Sequence, residues 1–258
     1  MSSKNKIQFE LVGKNFNDLL QKLEDLSKIG DTIKIKIDSD EIMIYSIIGE
    51  MVVLAFKNYT IPTSDYLKFN KDISNPIDII ISGSKKFVKS LGFIKKESPI
   101  ICTLNYREDD SGVFLGRFFE IKNQKLKLSQ SCGEETEIRD IPKESLNHKL
   151  NPKNRKWGFE ISREDFESVK KLSGINSEGK TLQIQVDSDG SVIISESSVW
   201  ELGVDKVETT SKSIIFNKSF LGNINDNETI QFHVFESFML NRDKSSNLMI
   251  SFETQFED

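Results

Sequence analysis

Few side chains of this 258-residue chain have the type and spacing for covalent or metal chemistry. The two cysteines, Cys102 and Cys132, lie too far apart for a CxxC motif. Only two histidines, His148 and His233, are present to complete a metal site. That set does not match the ligand spacing of zinc sites, and it reads as two unpaired thiols in a reducing cytoplasm. Asp187-Ser-Asp-Gly190 resembles the start of a calcium loop. The glutamate such a loop needs at its last position is replaced by Ser198. Its counterpart Asp38-Ser-Asp-Glu41 lacks the glycine, and both read as hairpin turns, which favour the same residues. Neither GxGxxG nor GxxxxGK[ST] is present, so no phosphate-cradling loop of those kinds is expected. Neither histidine has a recognisable nucleophile partner, and no pair among the 40 carboxylates is singled out by spacing. The expectation is a protein with no catalytic residues, no metal and no cofactor.

Composition narrows the class further. With 37% hydrophobic residues and 18 Phe, the chain has the material for a packed core. Its length suits one large domain or two ordinary ones. No apolar run approaches the ~20 residues of a membrane helix. The N-terminal Met1-Ser-Ser-Lys-Asn-Lys lacks the apolar region of a signal peptide. A cytoplasmic protein is expected, in a host cytoplasm if the source is viral. The net charge of -5 argues against coating by nucleic acid through bulk charge, but it leaves room for a local basic surface. Alanine occurs once, at Ala55, which disfavours a helix-dominated fold. The excess of Ile, Lys, Asn and Ser fits an AT-rich genome, such as that of a phage or a streamlined microbe.

The elements that would position any site are duplicated. Asp31-Thr-Ile-Lys-Ile-Lys-Ile-Asp-Ser-Asp40 matches Lys180-Thr-Leu-Gln-Ile-Gln-Val-Asp-Ser-Asp189. Both alternate apolar and polar residues, as half-buried strands do. A second apolar strand follows each, Ile42 to Ser46 and Val192 to Ser195, completing a hairpin. A helix precedes each hairpin. Phe16, Leu19, Leu20, Leu23 and Leu26 recur at helical spacing in the first half, and Phe166, Val169 and Leu172 in the second. Ser162 and Asp165 resemble a capping box, and Gly30 and Gly174 stand where a left-handed residue often ends a helix.

The likeness resumes at Ile79-Ile-Ile with Ser84 to Leu91, and at Ile214-Ile-Phe with Asn217 to Ile224. Each predicts a strand and a short helix. Phe87 with Leu91, and Phe220 with Ile224, make one apolar face. Further strands are expected at Ile100 to Leu104, Phe114 to Ile121 and Lys125 to Leu128, then at Ile230 to Phe235, Phe238 to Leu240 and Leu248 to Phe252. The stretch from Gly133 to Lys156 is polar, lacks periodicity and contains Pro142 and Pro152. It reads as a connector, giving an N-terminal domain over 1–132, a connector over 133–157 and a C-terminal domain over 158–258.

This duplicated strand-helix plan resembles the DNA sliding clamps, the processivity factors of replicative DNA polymerases. The likeness is to the two-domain type of proliferating cell nuclear antigen and tailed-bacteriophage clamps. Glu160-Ile-Ser-Arg-Glu-Asp-Phe-Glu-Ser-Val-Lys-Lys-Leu172 is similar to the opening of a phage clamp's second half. The resemblance implies an α+β fold of two similar clamp domains, each with antiparallel sheets and two helices lining the interior of a homotrimeric ring. It implies duplex DNA, a replicative DNA polymerase and a clamp loader as partners, with no membrane. The DNA-facing residues would be Lys85, Lys86 and Lys89, with Lys22, Lys28, Arg163, Lys170, Lys171 and Lys218 as weaker candidates. Loose phosphate contacts suit a ring that must slide.

Ring closure by edge strands would use Val113 to Phe119 on one side and Val199 to Val207 on the other. Phe114, Leu115, Trp200 and Leu202 are the candidate anchors. A partner-peptide pocket would take Tyr45, Ile47 and Val53 from the first domain, Ile141 and Leu150 from the connector, and Met249, Ile250 and Phe252 from the last strand. Strand alternation lets only one of Met249 and Ile250 face it. Two other readings stand beside the clamp. One is a monomeric clamp-like processivity factor with blunted edges. The other is a β-rich structural or virion protein, which would not need helices at matching positions in both halves.

Overall fold

The computed structural model describes residues 5–49, 54–70, 73–94, 99–175, 178–187, 189–196, 199–204, 212–224 and 228–255. The chain divides into two compact units. One comprises Met1–Ile48 with Lys57–Asp140, and the other comprises Gly49–Phe56 with Ile141–Asp258.

The first unit runs β1 (Lys6–Leu11), α1 (Phe16–Ile29), β2 (Thr32–Ile37), β3 (Glu41–Ile48), β4 (Ala55–Pro62, its residues from Lys57 on), α2 (Thr63–Tyr66), β5 (Leu67–Phe69), β6 (Ile77–Ser82), α3 (Ser84–Leu91), β7 (Ile100–Glu108), β8 (Phe114–Lys122) and β9 (Lys127–Ser131). Its strands lie in the order β4-β3-β2-β6-β8-β7-β1-β5, with β9 added to β8. All described pairings are antiparallel except β6 with β8. Strands β2 and β6 place Ile33, Ile37, Ile77, Ile79 and Ile81 into one core with Leu23 and Leu26 of α1 and Phe87, Val88 and Leu91 of α3. The two helices pack against each other over this face. Their apolar stripes, at i, i+3 and i+4, are what the sheet covers. Removing one such side chain, as in Leu26→Ala, costs about 2–5 kcal/mol.

The second unit contains α4 (Lys143–Lys149), β10 (Trp157–Ser162), α5 (Arg163–Ile175), β11 (Thr181–Val186), β12 (Val192–Ser195), β13 (Glu201–Val204), β14 (Lys212–Asn217), β15 (Thr229–Val234), β16 (Phe238–Arg242), β17 (Ser246–Ser251) and β18 (Glu253–Gln255). One of its sheets carries β10-β15-β16-β17 and the other β13-β12-β11-β14-β18. Helix α5 touches β10 and β15 of the first sheet and β13 of the second.

The duplication is structural. Strand β2 sits between β3 and β6, and β11 sits between β12 and β14, so the matched segments are equivalent inner strands. A helix precedes each, α1 or α5. After β6 comes α3, but after β14 the expected fourth helix is a 3-10 helix, Lys218–Asn223. Its cap is Asn217, whose side chain accepts from the Ser219 N–H at 2.9 Å. The stretch expected to be an irregular connector holds α4, which buries Leu146.

Two glycine expectations are corrected. Gly30 ends α1 in extended backbone, not left-handed. Its lack of a side chain serves a close approach instead, since a Cβ there would meet the Ile47 carbonyl oxygen at 2.7 Å. Gly174 lies within α5 and has open space around it. The capping expectation at α5 stands: the Ser162 hydroxyl accepts from the Asp165 N–H at 3.1 Å and donates to the Asp165 carboxylate at 2.7 Å. The Asp187 N–H donates to the Ser191 carbonyl and the Gly190 N–H to the Asp187 carbonyl, as in a turn, with Gly190 at φ 82°, and Asp189 accepts from the Ser191 N–H and hydroxyl. Among the described residues no group of three His, Cys, Asp or Glu is placed to hold a metal ion.

Candidate functional site

Helix α3 carries the clearest charged feature. Phe87, Val88 and Leu91 turn into the core, which leaves Lys85, Lys86 and Lys89 exposed together on the opposite side. The helix contains no acid, so nothing on it offsets the three positive charges. Helix α1 differs. Its Asp18 accepts from Lys22 at 2.5 Å and from the Tyr66 hydroxyl. Burial pushes the Asp18 carboxyl up, but the hydrogen bonds from Lys22 and Tyr66 outweigh it and leave the group below the ordinary carboxylate range. Asp25 is paired with buried Lys57 at 2.6 Å. The exposed face of α1 is left with Asn17, Gln21, Glu24 and Lys28, which is close to neutral.

The weaker basic candidates therefore separate. Lys28, Arg163 and Lys171 are exposed. Lys22 is tied to Asp18. Lys170 donates to Glu167 at 2.8 Å and stands over the Phe166 ring at 4.7 Å. Lys218 is a correction. Its ammonium donates to Glu196 at 2.6 Å and to the Ser173 carbonyl at 2.8 Å, and the Glu196 side chain is 0% exposed. The second Glu196 oxygen accepts from the Trp200 indole at 3.2 Å. Lys218 is thus committed to a buried ion pair that holds the end of α5 and the turn before β13.

The edge candidates are also revised. Strand β8 is flanked on both sides. It pairs with β7 along one edge, and with β6 at Phe114 and Leu115 and β9 from Phe118 to Lys122 along the other. Val113 to Phe119 is therefore interior, and Leu115 is buried. The open strand beside it is β9, whose only described partner is β8. The other candidate segment is Val199 to Val207. Among the described residues strand β13 pairs only with β12, which leaves one edge open there, and Leu202 is half-buried on it. Trp200, also half-buried, leads into it. Residues 205–207 of that candidate segment lie outside the described residues.

The pocket candidates fall in both units. Tyr45 is fully buried, and its hydroxyl donates to the Arg139 carbonyl at 3.3 Å and lies 3.4 Å from Asp140. Ile47 is half-buried. Val53 lies outside the described residues. In the second unit, Ile141 and Phe252 are half-buried and Leu150 is buried. Met249 is half-buried and Ile250 is 1% exposed, which is the alternation expected of β17.

Sequence reasoning missed the charge cluster beside Tyr45. Lys34 on β2 is only 5% exposed, and its ammonium lies 2.6 Å from Asp140 and 2.9 Å from Asp78 on β6. Lys36 reaches the same Asp140 at 2.9 Å. Asp140 is the last residue of the first unit, so this cluster pins the start of the chain's passage into the second. A lysine alternating with isoleucines in an inner strand was the available signal, since a lysine there needs a buried partner.

No protein-family model matches the chain, and no curated protein matches it in sequence. Solved structures do match. A Helicobacter pylori beta clamp, in complex with 3,4-difluorobenzamide, superposes with a TM-score of 0.65 at 13% identity, over 98% of this chain and 66% of that one. The DNA polymerase III beta chain of Streptococcus pneumoniae gives 0.65 at 12%, over the same shares. PCNA of Thermococcus kodakaraensis gives 0.61 at 12%, over 95% of this chain and 100% of that one. The α+β, duplicated architecture is therefore that of the DNA sliding clamps. The chain spans about two thirds of the bacterial beta clamps, 66%, and the whole length of the archaeal PCNA.

Proposed function

We propose that the chain is a sliding clamp, three copies of which close head to tail around duplex DNA and tether a replicative polymerase. The supporting observation is the pairing of this fold with an acid-free basic helix, α3, in a protein of net charge -5. Its positive charge is local and exposed, which suits mobile phosphate contact without tight, immobilising grip. In this reading, open edge β9 of one copy pairs with open edge β13 of the next. Closing the ring removes two edges that would otherwise template aggregation. The work is mechanical, so no covalent step is assigned to any residue. A loader would open the ring, and polymerase tails would dock on the second unit beside the half-buried Met249 and Phe252. The solved beta clamp bound to a DNA ligase peptide shows that a protein of this fold receives a partner peptide.

Native mass spectrometry at micromolar concentration tests closure. A mass of three chains supports it. A monomer under all conditions, with no ring formed on DNA, overturns it.

A further inference from the structure

One sheet face of the second unit holds an arrangement that the clamp reading leaves unused. Strands β10 and β15 turn Phe159, Ile161, Ile230 and Phe232 toward α5, whose Phe166 ring meets Phe232. Alternation then sends Gly158, Glu160, Gln231 and His233 to the opposite face. Gly158 lies directly across from His233, and Leu240 of β16 lies on its other side. Arg242, two residues beyond Leu240, shares that face.

Gly158 makes the arrangement possible. A Cβ there would meet the Phe232 carbonyl oxygen at 2.5 Å, the Arg155 Nη2 at 2.9 Å and its Cζ at 3.1 Å. The Arg155 guanidinium therefore lies over the glycine, beside His233. Its Nε donates to the Trp157 carbonyl at 3.2 Å. Arg242 is held from Nε by the Asn247 side-chain oxygen at 2.9 Å and reaches the Leu150 carbonyl at 3.5 Å. The His233 Nδ1 is buried with no hydrogen-bond partner among the described residues. A sealed nitrogen without a partner is less costly as a lone pair than as an N–H, which leaves the proton on Nε2. Burial, then Arg155 and Arg242, hold the imidazole below its usual value, against a smaller opposing effect of Glu160. Glu160 itself accepts from Gln231 at 2.6 Å, which occupies it within the sheet.

We propose that Arg155, His233 and Arg242 form a docking point for an aspartate or glutamate side chain carried on a partner protein's tail. The inference rests on the proposal that this chain recruits such tails. Two forked guanidinium groups and an imidazole N–H on one face supply donors that match a carboxylate, and Glu160 is the one acidic residue of β10, β15 and β16. The face is opposite to the one α5 covers, so the helix of this unit that would meet DNA points away from it. That geometry favours a protein acid over a nucleic-acid phosphate.

The test is an NMR titration of the full chain, reading the imidazole resonances of His233 with exposed His148 as internal control. Three probes are used: an end-capped hexapeptide carrying two glutamates beside a Leu-Phe anchor, the same peptide with glutamines, and a duplex DNA oligonucleotide. The glutamate peptide should shift His233 saturably and leave His148 unmoved. Affinity should fall about tenfold for the glutamine peptide, and about tenfold for the double variant Arg155→Gln, Arg242→Gln. Both arginines are exposed, so the variant should keep its fold, checked by circular dichroism. Equal binding of the two peptides, a His233 shift caused by DNA alone, or no shift with either peptide overturns the site. The same samples are weighed by native mass spectrometry. A trimer with no His233 response rejects only the carboxylate site, and a response in a strictly monomeric protein supports the site while rejecting the ring.

Discussion

The Lys218–Glu196 pair gives the sharpest energetic prediction. Glu196 is wholly buried, and its two oxygens are held by Lys218 and the Trp200 indole. Lys218→Met keeps most of the side-chain volume and removes the charge. It leaves a buried carboxylate without its cation and the Ser173 carbonyl at the end of α5 without its donor. Breaking a buried pair from one side costs about 3–5 kcal/mol. For a unit of this size that lowers the melting temperature by on the order of 10 °C or more. Adding Glu196→Gln removes the stranded charge, so the double variant should recover most of the loss, the signature of a coupled pair. Thermal unfolding is followed by circular dichroism and by tryptophan emission, since Trp200 reports directly on Glu196. The alternative, that Lys218 faces DNA, predicts the opposite pattern. Unchanged stability in Lys218→Met, with weakened DNA binding, would refute the structural role.

Three further predictions concern the helix, the edge and the charge cluster. Neutralising Lys85, Lys86 and Lys89 to glutamine should leave stability unchanged, because all three are exposed, and should flatten the salt dependence of DNA binding by up to about 3 in log–log slope. Gly203→Lys on β13 should fold normally, since a Cβ there meets nothing within 4 Å among the described residues, yet shift the oligomer to monomer in sedimentation by charging the edge. Asp140→Asn should increase hydrogen exchange around residues 138–150 and destabilise the first unit by about 1 kcal/mol, a small value because Asp140 is half exposed. Burial pushes the Asp140 carboxyl up, but bonds from Lys34 and Lys36 outweigh it and hold it below 3.8. Burial pulls Lys34 down, but Asp140 and Asp78 hold it above 10.5. The carboxylate's contribution is therefore present above the ordinary 3.8 and is lost as pH falls through its lowered value. The lysine's contribution is full below 10.5 and is lost as pH rises through its raised value. Exchange around 138–150 should be steady between those limits, after correction for the intrinsic rate.

What the sequence reveals depends on how local the determining contact is. The β2 and β11 hairpins were legible because alternation and turn chemistry act within ten or so residues. The α1, α3 and α5 faces were legible because their stripes repeat every turn. The status of β8 was not, because its second flank is filled partly by β6 in a parallel pairing, and a parallel partner leaves no turn between the strands to mark it. Lys218 misled for a similar reason. Its partner Glu196 stands on a different element, and the burial of that carboxylate is a tertiary fact. Arg155, His233 and Arg242 are brought to one face through the β10–β15–β16 pairing. The one local hint was Gly158 between Trp157 and Phe159, a glycine in an alternating strand, which signals close approach of another group.

Encirclement can be read from retention on blocked DNA. The protein is incubated at high concentration with duplex DNA tethered at one end, the free end is then capped with a bulky protein, and the sample is washed in high salt. A ring that slides should remain on capped DNA through the salt wash and run off uncapped DNA of the same length. Equal retention on the two DNAs, or loss from both as salt rises, would contradict the account.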